Sequence, residues 1–388
     1  MKIVDFRTTV VSIPFTEPET WAFGYVHGIS NVIIELETDT GLVGLGECPH
    51  FPTSRVVLEV LNAMRPFVLG RDPFDHALLL HELNQLHGWH HFRRTGNMAT
   101  AGIDMALWDL VGQETRQPLY KLFGGAFRKQ IPYYFYIADK DASDMAEDAK
   151  RGVSEGFETF YLKLRNDLAH NLQVVGAVRD AIGPHKKLRV DANESWSESG
   201  AASEMMRKLG EFDIEFFEQP LFYYDHEGAA RLRRTTGFPL AANQSSWTEA
   251  ETLAVIKADA ADQVLTDQHQ LGSLGAFHRV AWTLAALGIP VMKHVFGDLG
   301  ITTYASMHVL AAAPNCTKAS QTHYSLLADD VIEGGVPKFH KGCLTLPETP
   351  GIGVKLDRKR VERWSNYTKE HGEFSAFDVN KDKNTVSV

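Results

Sequence analysis

The sequence predicts an α/β protein in which an N-terminal α+β unit covers a barrel of repeated strand–helix units. Six polar clusters recur along the middle of the chain, 24 to 28 residues apart. A short apolar run precedes almost every cluster, and a strand, its turn, a covering helix and a return loop together take an interval of that size. The polar residues are therefore expected at the C-terminal ends of parallel strands, the face on which such barrels carry active sites. The clusters begin at Lys163, Asp191, Glu218, Asn243, Asp267 and Lys293.

Residues 1–125 have a different pattern and are expected to form the α+β unit, a capping domain. Its strands are expected at 2–11, 30–37 and 42–46. Turn chemistry at 38–41 joins the last two strands. Helical patterns follow at 54–69, 74–86 and 98–113. Because the strands precede the helices instead of alternating with them, the unit is α+β. Gly124 and Gly125 end a helix and place the domain boundary there.

Residues 126–354 are expected to form the barrel. A strand is expected at 130–136, and glycines occur just before four later strands, where helix ends and return turns need them. These glycines are Gly156, Gly183, Gly237 and Gly288. The C-terminal segment, residues 355–388, is expected to pack back on the capping domain.

Composition narrows the class of protein. The chain has 388 residues, 44% of them hydrophobic, which suffices for one large domain and one smaller domain. A formal net charge of −10 without a long basic block argues against a nucleic-acid partner. No run of residues approaches the length of a membrane span, the N-terminus does not have the pattern of a signal peptide, and the three cysteines are scattered. A cytoplasmic protein with no membrane partner is expected.

Asp191, Glu218 and Asn243 end or follow three consecutive predicted strands. Taken singly, an Asp in such a place is usually a helix N-cap and an Asn is usually a turn residue. Together, three oxygen donors without cysteine or clustered histidine suit a hard divalent cation, Mg²⁺ or Mn²⁺. Asn193, two residues beyond Asp191 and on the same side of the strand, is placed to support the metal or the substrate.

Asp267 and His294 lie on adjacent predicted strands. A histidine backed by a carboxylate has its tautomer fixed and its charged form stabilised, which suits a general base. The alternative is a structural His–Asp pair, and the nearby metal ligands favour the base. His269, two residues after Asp267, remains open as a further residue of the barrel mouth.

Lys163 and Arg165 lie two residues apart, so their side chains are expected on one face of their strand. Two cations there, with Lys293 on a later strand, would bind a substrate carboxylate or adjust a proton-transfer group. Arg165 cannot act as a base, because a guanidinium stays protonated. Lys163 could do so only if burial or a neighbouring charge lowered its pKa.

Five motifs carry the most specific signal in the chain. They are Gly41-Leu-Val-Gly-Leu-Gly-Glu47, Ala101-Gly-Ile-Asp-Met-Ala-Leu-Trp-Asp109, Lys163-Leu-Arg165, Val190-Asp-Ala-Asn193 and Phe217-Glu-Gln-Pro220. Over nearly the whole chain this combination resembles the enolase superfamily, on its mandelate racemase side. The resemblance implies a modified (β/α)7β TIM barrel under an α+β capping domain, with bound Mg²⁺. It also implies that the three oxygen donors are the metal ligands, and that the His–Asp pair is the catalytic base.

Further details are similar to the glucarate dehydratase-like subgroup. Asn243 stands where most members carry Asp or Glu, and this subgroup also has Asn there. Segments 267–275, 321–324 and 344–353 look like the same subgroup, which implies that His323 contacts the substrate. Arg165 departs from the pattern, because it occupies the place of the lysine that serves as a second base. A racemisation that needs two bases is thereby disfavoured, whereas a dehydration that needs only one base is not.

The resemblance implies a dehydratase of a sugar acid, either an aldonate or an aldarate. It would abstract the proton α to the carboxylate and eliminate the β-hydroxyl to give a 2-keto-3-deoxy acid. An epimerase, racemase or cycloisomerase acting through the same enolate remains open, as does a non-catalytic degenerate relative. Cap segments 21–27 and 86–94 are expected to set specificity, with His27 and His91 as substrate contacts, although a polar helix connection explains 86–94 equally well. A small anionic sugar acid and further copies of the chain, in a homo-oligomer, are the expected partners.

Overall fold

The structure, a computed structural model, describes residues 1–86, 93–196 and 199–374. Within these ranges an antiparallel three-stranded sheet with helices is followed by a curled parallel sheet of seven strands. The expected fold, a modified (β/α)7β TIM barrel with an N-terminal α+β capping domain, is confirmed. None of the helices in these ranges is long and apolar enough to cross a membrane.

The capping sheet is a meander of three antiparallel strands. They are β1 (Ile3–Trp21), β2 (Gly24–Thr38) and β3 (Val43–Cys48). β1 extends well beyond the strand expected at 2–11, because its second half pairs with the beginning of β2, with Glu19 opposite Val26. The predicted lid loop at 21–27 is therefore mostly the tip of a β-hairpin.

Helices pack against this sheet and enclose an apolar core with it. They are α1 (Ser54–Val68), α2 (His76–Gln85) and α3 (Thr95–Glu114). α3 runs so close to β3 that a Cβ added at Gly46 would lie 1.9 Å from the carbonyl oxygen of Gly102. At Gly44 an added Cβ would lie 2.1 Å from the carbonyl oxygen of Ala106. Close packing therefore requires glycine at positions 44 and 46 of the 41–47 motif.

The barrel is built on seven parallel strands that pair in chain order. They are β5 (Phe135–Ile137), β6 (Thr159–Lys163), β7 (Lys187–Asp191), β8 (Ile214–Glu218), β9 (Leu240–Ala242), β10 (Gln263–Thr266) and β11 (Val291–Lys293). These strands are apolar and buried, as expected for parallel strands covered on both faces. A separate antiparallel pair consists of β4 (Gln130–Pro132) and β12 (Cys343–Thr345).

An extended segment at 319–321 closes the barrel between its first and last strands. The backbone N–H of Ser320 donates to the carbonyl of Pro132, and that of Tyr134 donates to the carbonyl of Ser320. On the other side, the N–H of Gln321 donates to the carbonyl of Lys293. This segment therefore occupies the eighth strand position of the barrel.

Helices return the chain between successive strands and cover the outside of the barrel. The short α4 (Leu119–Leu122) follows the capping helices. The barrel helices are α5 (Ala142–Ser154), α6 (Leu168–Ile182), α7 (Ser199–Leu209), α8 (His226–Thr236), α9 (Glu249–Lys257), α10 (Gln268–Leu271), α11 (Leu274–Ala286) and α12 (Gly300–Ala312). This alternation is what the interval between the polar clusters predicts.

The last helix, α13 (Arg358–His371), packs on β1 of the capping domain. Arg358 forms an ion pair with Glu35 at 2.6 Å. Just beyond the helix, the N–H of Phe374 donates to Ser30 Oγ at 2.8 Å. These contacts attach the described part of the C-terminal segment to the cap.

Candidate active site

Two carboxylates lie on adjacent strands at the C-terminal end of the barrel. Asp191 ends β7 and Glu218 ends β8, and the two residues are partners in the parallel register. Asn243 directly follows β9, and all three side chains are buried. Parallel strands thus bring the three predicted metal ligands to one edge of the sheet.

Fixed polar neighbours hold the two carboxylates. Asp191 accepts hydrogen bonds from Tyr161 Oη at 2.7 Å and from Lys163 Nζ at 3.1 Å. Glu218 accepts two from Gln321 Nε2, at 3.0 and 3.1 Å. Burial and the charge of Asp191 raise the pKa of Glu218 well above its ordinary value, although Lys163 opposes this. Additional positive charge beside this carboxylate pair would therefore be favourable.

The donor set fits a hard divalent cation. Asn243 Nδ2 donates to the carbonyl of Leu265 at 3.2 Å, which leaves the amide oxygen available to a ligand. Two carboxylates and an amide oxygen are donors that Mg²⁺ and Mn²⁺ accept. Among the described residues, no three His, Cys, Asp or Glu side chains form a metal cluster. The predicted ligand set contains only two side chains of these four types, Asp191 and Glu218, so its third donor has to be the amide oxygen of Asn243.

A cavity of about 190 Å³ lies between the barrel mouth and the cap. The barrel lines it with Lys163, Asn193, His294, Val295, Phe296 and His323. The cap lines it with Glu19, Trp21, Val26, Gly28, Ile29, His50 and Phe51. Lys163 Nζ donates to Asp191 and also to Asn193 Oδ1, at 3.1 Å each, and so connects the cavity to the carboxylate pair.

His294 directly follows β11 and lines this cavity. Its Nδ1 atom is buried and has no hydrogen-bond partner. Burial, followed by the positive charges of Lys163 and Lys293, lowers the pKa of His294 well below its ordinary value. The imidazole is therefore neutral near pH 7 and can accept a proton.

Asp267 directly follows β10, on the strand adjacent to His294, but the expected hydrogen bond between the two side chains does not form. One carboxylate oxygen caps α10 by accepting from the N–H of Gln270 at 2.8 Å. The other oxygen is buried without a partner, 3.9 Å from Nδ1 of His269. Burial raises the pKa of Asp267 to about 7, against the opposing charge of Lys293.

His269 and Lys293 are buried away from the cavity. His269 Nε2 lies 3.0 Å from the backbone carbonyl of Glu47, a contact between barrel and cap. Lys293 forms a buried ion pair with Asp298 and donates to the carbonyl of His294 at 2.8 Å. Because its ammonium group has these partners, the structure does not place Lys293 where the substrate contact was expected.

Lys163 and Arg165 diverge, although a common face was expected. Burial acts to lower the pKa of Lys163, but the charges of Asp191, Glu19 and other carboxylates outweigh it and raise that pKa. Arg165 lies beyond the end of β6, and its side chain is 54% exposed and paired with Asp139. The chain leaves the strand after Lys163, so the alternation of side chains no longer applies to Arg165.

The other predicted substrate contacts fall into three groups. Asn193 and His323 line the cavity. His27 does not, whereas its neighbours Val26 and Gly28 do, as expected when successive side chains of a strand point to opposite faces. His91 lies outside the described residues.

Two ionisable cap residues of the cavity, Glu19 and His50, were not predicted from the sequence. Glu19 Oε2 lies 3.5 Å from Nδ1 of His323, which brings a carboxylate of the cap to the barrel mouth. His50 is buried, and burial lowers its pKa to about 4. His50 follows the 41–47 motif by three residues and Glu19 adjoins the segment expected as a lid, so proximity to those features was the available signal.

Hydrogen bonds dock the hairpin that carries Glu19 on the barrel. Tyr136 Oη donates to the carbonyl of Thr20 at 3.0 Å. The N–H of Asp139 donates to Thr20 Oγ1 at 2.9 Å. Glu17 forms an ion pair with Lys140. Because these partners flank Glu19, its carboxylate is held over the cavity.

An α+β cap over a barrel, with carboxylates and a histidine at the strand ends, defines a class of barrel proteins with an active site between cap and barrel. The chain belongs to the enolase superfamily, on its mandelate racemase and muconate lactonizing enzyme side. Residues 4–124 match the mandelate racemase / muconate lactonizing enzyme N-terminal domain, and residues 144–360 match the enolase C-terminal domain-like family. The family expected from the motifs is confirmed.

Similar proteins are enzymes of more than one reaction class. The L-Ala-D/L-Glu epimerase of Bacillus subtilis is 28% identical over 368 residues, which cover 91% of this chain and 97% of that protein. Arabinonate dehydratase of Saccharolobus solfataricus is 26% identical over 335 residues, 85% of this chain and 89% of that protein. A dipeptide epimerase from Enterococcus faecalis V583, solved in complex with Mg and the dipeptide L-Leu-L-Tyr, superposes with a TM-score of 0.85 at 27% identity. That likeness covers 92% of this chain and 100% of the solved one.

Proposed function

We propose that this protein is a Mg²⁺-dependent dehydratase of a sugar acid. The observation that carries the proposal is that, of the two positions at which the family carries bases, one holds a base at the cavity and the other does not. His294 is neutral and lines the cavity, whereas Arg165 stays protonated and is paired with Asp139 outside it. Removal of an α-proton by one base followed by loss of a β-hydroxyl needs no second base on the opposite face.

Each residue of the site has its own role in the proposed reaction. Asp191, Glu218 and Asn243 would hold the metal ion, and the bound ion supplies positive charge that stabilises the substrate carboxylate as the α-proton leaves. Lys163 adds a second positive charge on the same side. His294 accepts the α-proton. The proton and the β-hydroxyl leave as water, with protonated His294 as the acid if the elimination is syn, and the resulting enol tautomerises to a 2-keto-3-deoxy acid.

Two relatives support the chemistry at the level of class. Arabinonate dehydratase, by its name, dehydrates a sugar acid. The dipeptide epimerase from Enterococcus faecalis was solved with Mg bound. Mn²⁺ takes the same oxygen ligands and is the alternative ion.

An epimerase is the second candidate, because the epimerase of Bacillus subtilis aligns over 91% of the chain. Turnover in D₂O separates the two reactions. An epimerase returns a deuterium-labelled isomer of the substrate, whereas a dehydratase releases a keto acid that reacts with semicarbazide.

The test is a screen of the purified protein with Mg²⁺ against mono- and diacid sugars, with detection of 2-keto acids. A keto acid that disappears with EDTA and with His294→Asn supports the proposal. The exposed His185 provides the control, because His185→Asn should keep full activity. Full activity of His294→Asn would exclude this histidine as the base. Tight Mg²⁺ binding without turnover or α-proton exchange on any acid would favour a non-catalytic relative.

A further inference from the structure

Glu19 is the carboxylate that the cap contributes to the cavity. Its Oε2 atom lies 3.5 Å from Nδ1 of His323, and the residue lines the cavity together with Lys163. The hydrogen bonds of Thr20 and the ion pair of Glu17 fix the strand on both sides of it. The carboxylate is therefore a built part of the substrate cavity.

Positive charge in the cavity is limited to one place. Of the described residues that line it, Lys163 is the only one with a permanently cationic side chain, and Lys163 already donates to Asp191 and Asn193. The lining histidines His50, His294 and His323 all have lowered pKa values because of burial, so they are neutral near pH 7.

Two further cations near the barrel mouth have other partners. Arg165 is paired with Asp139, and Lys293 is paired with Asp298. One substrate carboxylate can therefore be neutralised on the side of Lys163. A second carboxylate would find Glu19 and neutral groups, and a cavity of about 190 Å³ leaves it little room to avoid that charge.

We infer, on the basis of the proposed function, that Glu19 selects acids with one carboxylate over acids with two. Its carboxylate accepts hydrogen bonds from substrate hydroxyl groups and repels a distal carboxylate. The substrate class is accordingly the aldonates, and aldarates of the same length and configuration are rejected. Glu19 thus acts as a specificity-determining residue supplied by the cap.

The experiment compares binding of matched acids by isothermal titration calorimetry in the presence of Mg²⁺. D-gluconate with D-glucarate and D-galactonate with D-galactarate are suitable pairs, measured with the His294→Asn protein so that no turnover disturbs the titration. Burial raises the pKa of Glu19 to about 7, against the opposing charge of Lys163, so a buffer of about pH 8.5 keeps the carboxylate ionised.

We expect the protein to bind at least one aldonate about tenfold or more tightly than the matching aldarate, the scale of one like-charge contact in a partly buried site. Glu19→Gln should bring this ratio close to one, while Glu19→Asp should keep a preference for the monoacid. Glu59→Gln removes the same charge from an exposed position of α1 in the cap, away from the cavity, and should leave the ratio unchanged.

Preference for the diacid, or a ratio that Glu19→Gln leaves as it was, would overturn the inference. Absence of binding by every acid of both pairs would overturn it too. Because the ratio is measured without turnover, the two proposals fail separately. If the ratio responds to Glu19 while the wild-type protein forms no keto acid from any acid, the role of Glu19 is supported and the dehydratase is rejected.

Discussion

Asp267 and His294 follow adjacent strands of the barrel, and each leaves a buried polar atom without a hydrogen bond. The unpaired atoms are Oδ2 of Asp267 and Nδ1 of His294. Buried polar atoms without partners are costly, so a hydrogen bond between these two side chains would be favourable. Formation of that bond would fix the tautomer of His294 with Nε2 as the proton acceptor.

Asp267→Asn tests this pair, because asparagine keeps the cap of α10 but loses the charge. We expect kcat to fall about 100-fold, the lower end of the range of general-base effects, with little change in Tm. Asp267→Ala also removes the cap and should cost a further 1 kcal/mol or so of folding stability. An unchanged kcat in Asp267→Asn would leave Asp267 with a structural role only.

Mg²⁺ should stabilise the folded protein, because its positive charge would offset the repulsion between the buried carboxylates of Asp191 and Glu218. At about a hundred times its dissociation constant, an ion that binds only the folded state adds about 2.7 kcal/mol to the free energy of unfolding. Thermal unfolding with increasing Mg²⁺ measures the effect. Glu218→Gln should abolish the rise in Tm, whereas Glu249→Gln, which changes a half-exposed residue paired with Arg279, should retain it. A rise that persists in Glu218→Gln would place the ion elsewhere.

Arg165→Ala should change kcat/KM by less than about threefold and the free energy of unfolding by less than about 1 kcal/mol. The Arg165 side chain is 54% exposed, which limits what the pair contributes, and the 8% exposed carboxylate of Asp139 keeps His170 as a partner at 2.9 Å. Lys163→Ala is the matched comparison and should lose at least about a hundredfold, since it removes a charge beside the reacting carboxylate. A comparable loss with Arg165→Ala would mean that the guanidinium enters the cavity when substrate binds.

The positions of the barrel strands follow from the sequence because their pattern is repetitive. Each apolar run that precedes a polar cluster is a strand, and Asp191 and Glu218 end their strands in matching register. Backbone geometry of this kind is encoded within short segments.

The direction of individual side chains beyond the strand ends was not predictable in this way. Arg165 pairs with Asp139 from another part of the barrel, and Lys293 pairs with Asp298, five residues further along the chain. Glu19 reaches the cavity only because β1 is long and docks on the barrel through Thr20. Contacts between distant segments decide the positions of Arg165 and Glu19, and no spacing in the sequence reports them.

Asp109 should make the stability of the protein depend on pH. Its carboxylate is buried between cap and barrel and accepts from the N–H groups of Leu45 at 3.0 Å and Ile352 at 2.8 Å. Burial raises its pKa to about 6, although these hydrogen bonds oppose the shift.

A carboxyl group whose pKa is higher in the folded state than in the unfolded state stabilises the fold at low pH, and this contribution is lost as the pH rises through about 6. The free energy of unfolding of the wild type, relative to Asp109→Asn, should therefore fall by about 1.4 kcal/mol per pH unit between roughly pH 4 and 6. Urea unfolding in metal-free buffer measures this difference, and Asp180→Asn, at an exposed position of α6, should run parallel to the wild type. A difference that stays constant with pH would show that Asp109 is ionised in the folded protein throughout this range.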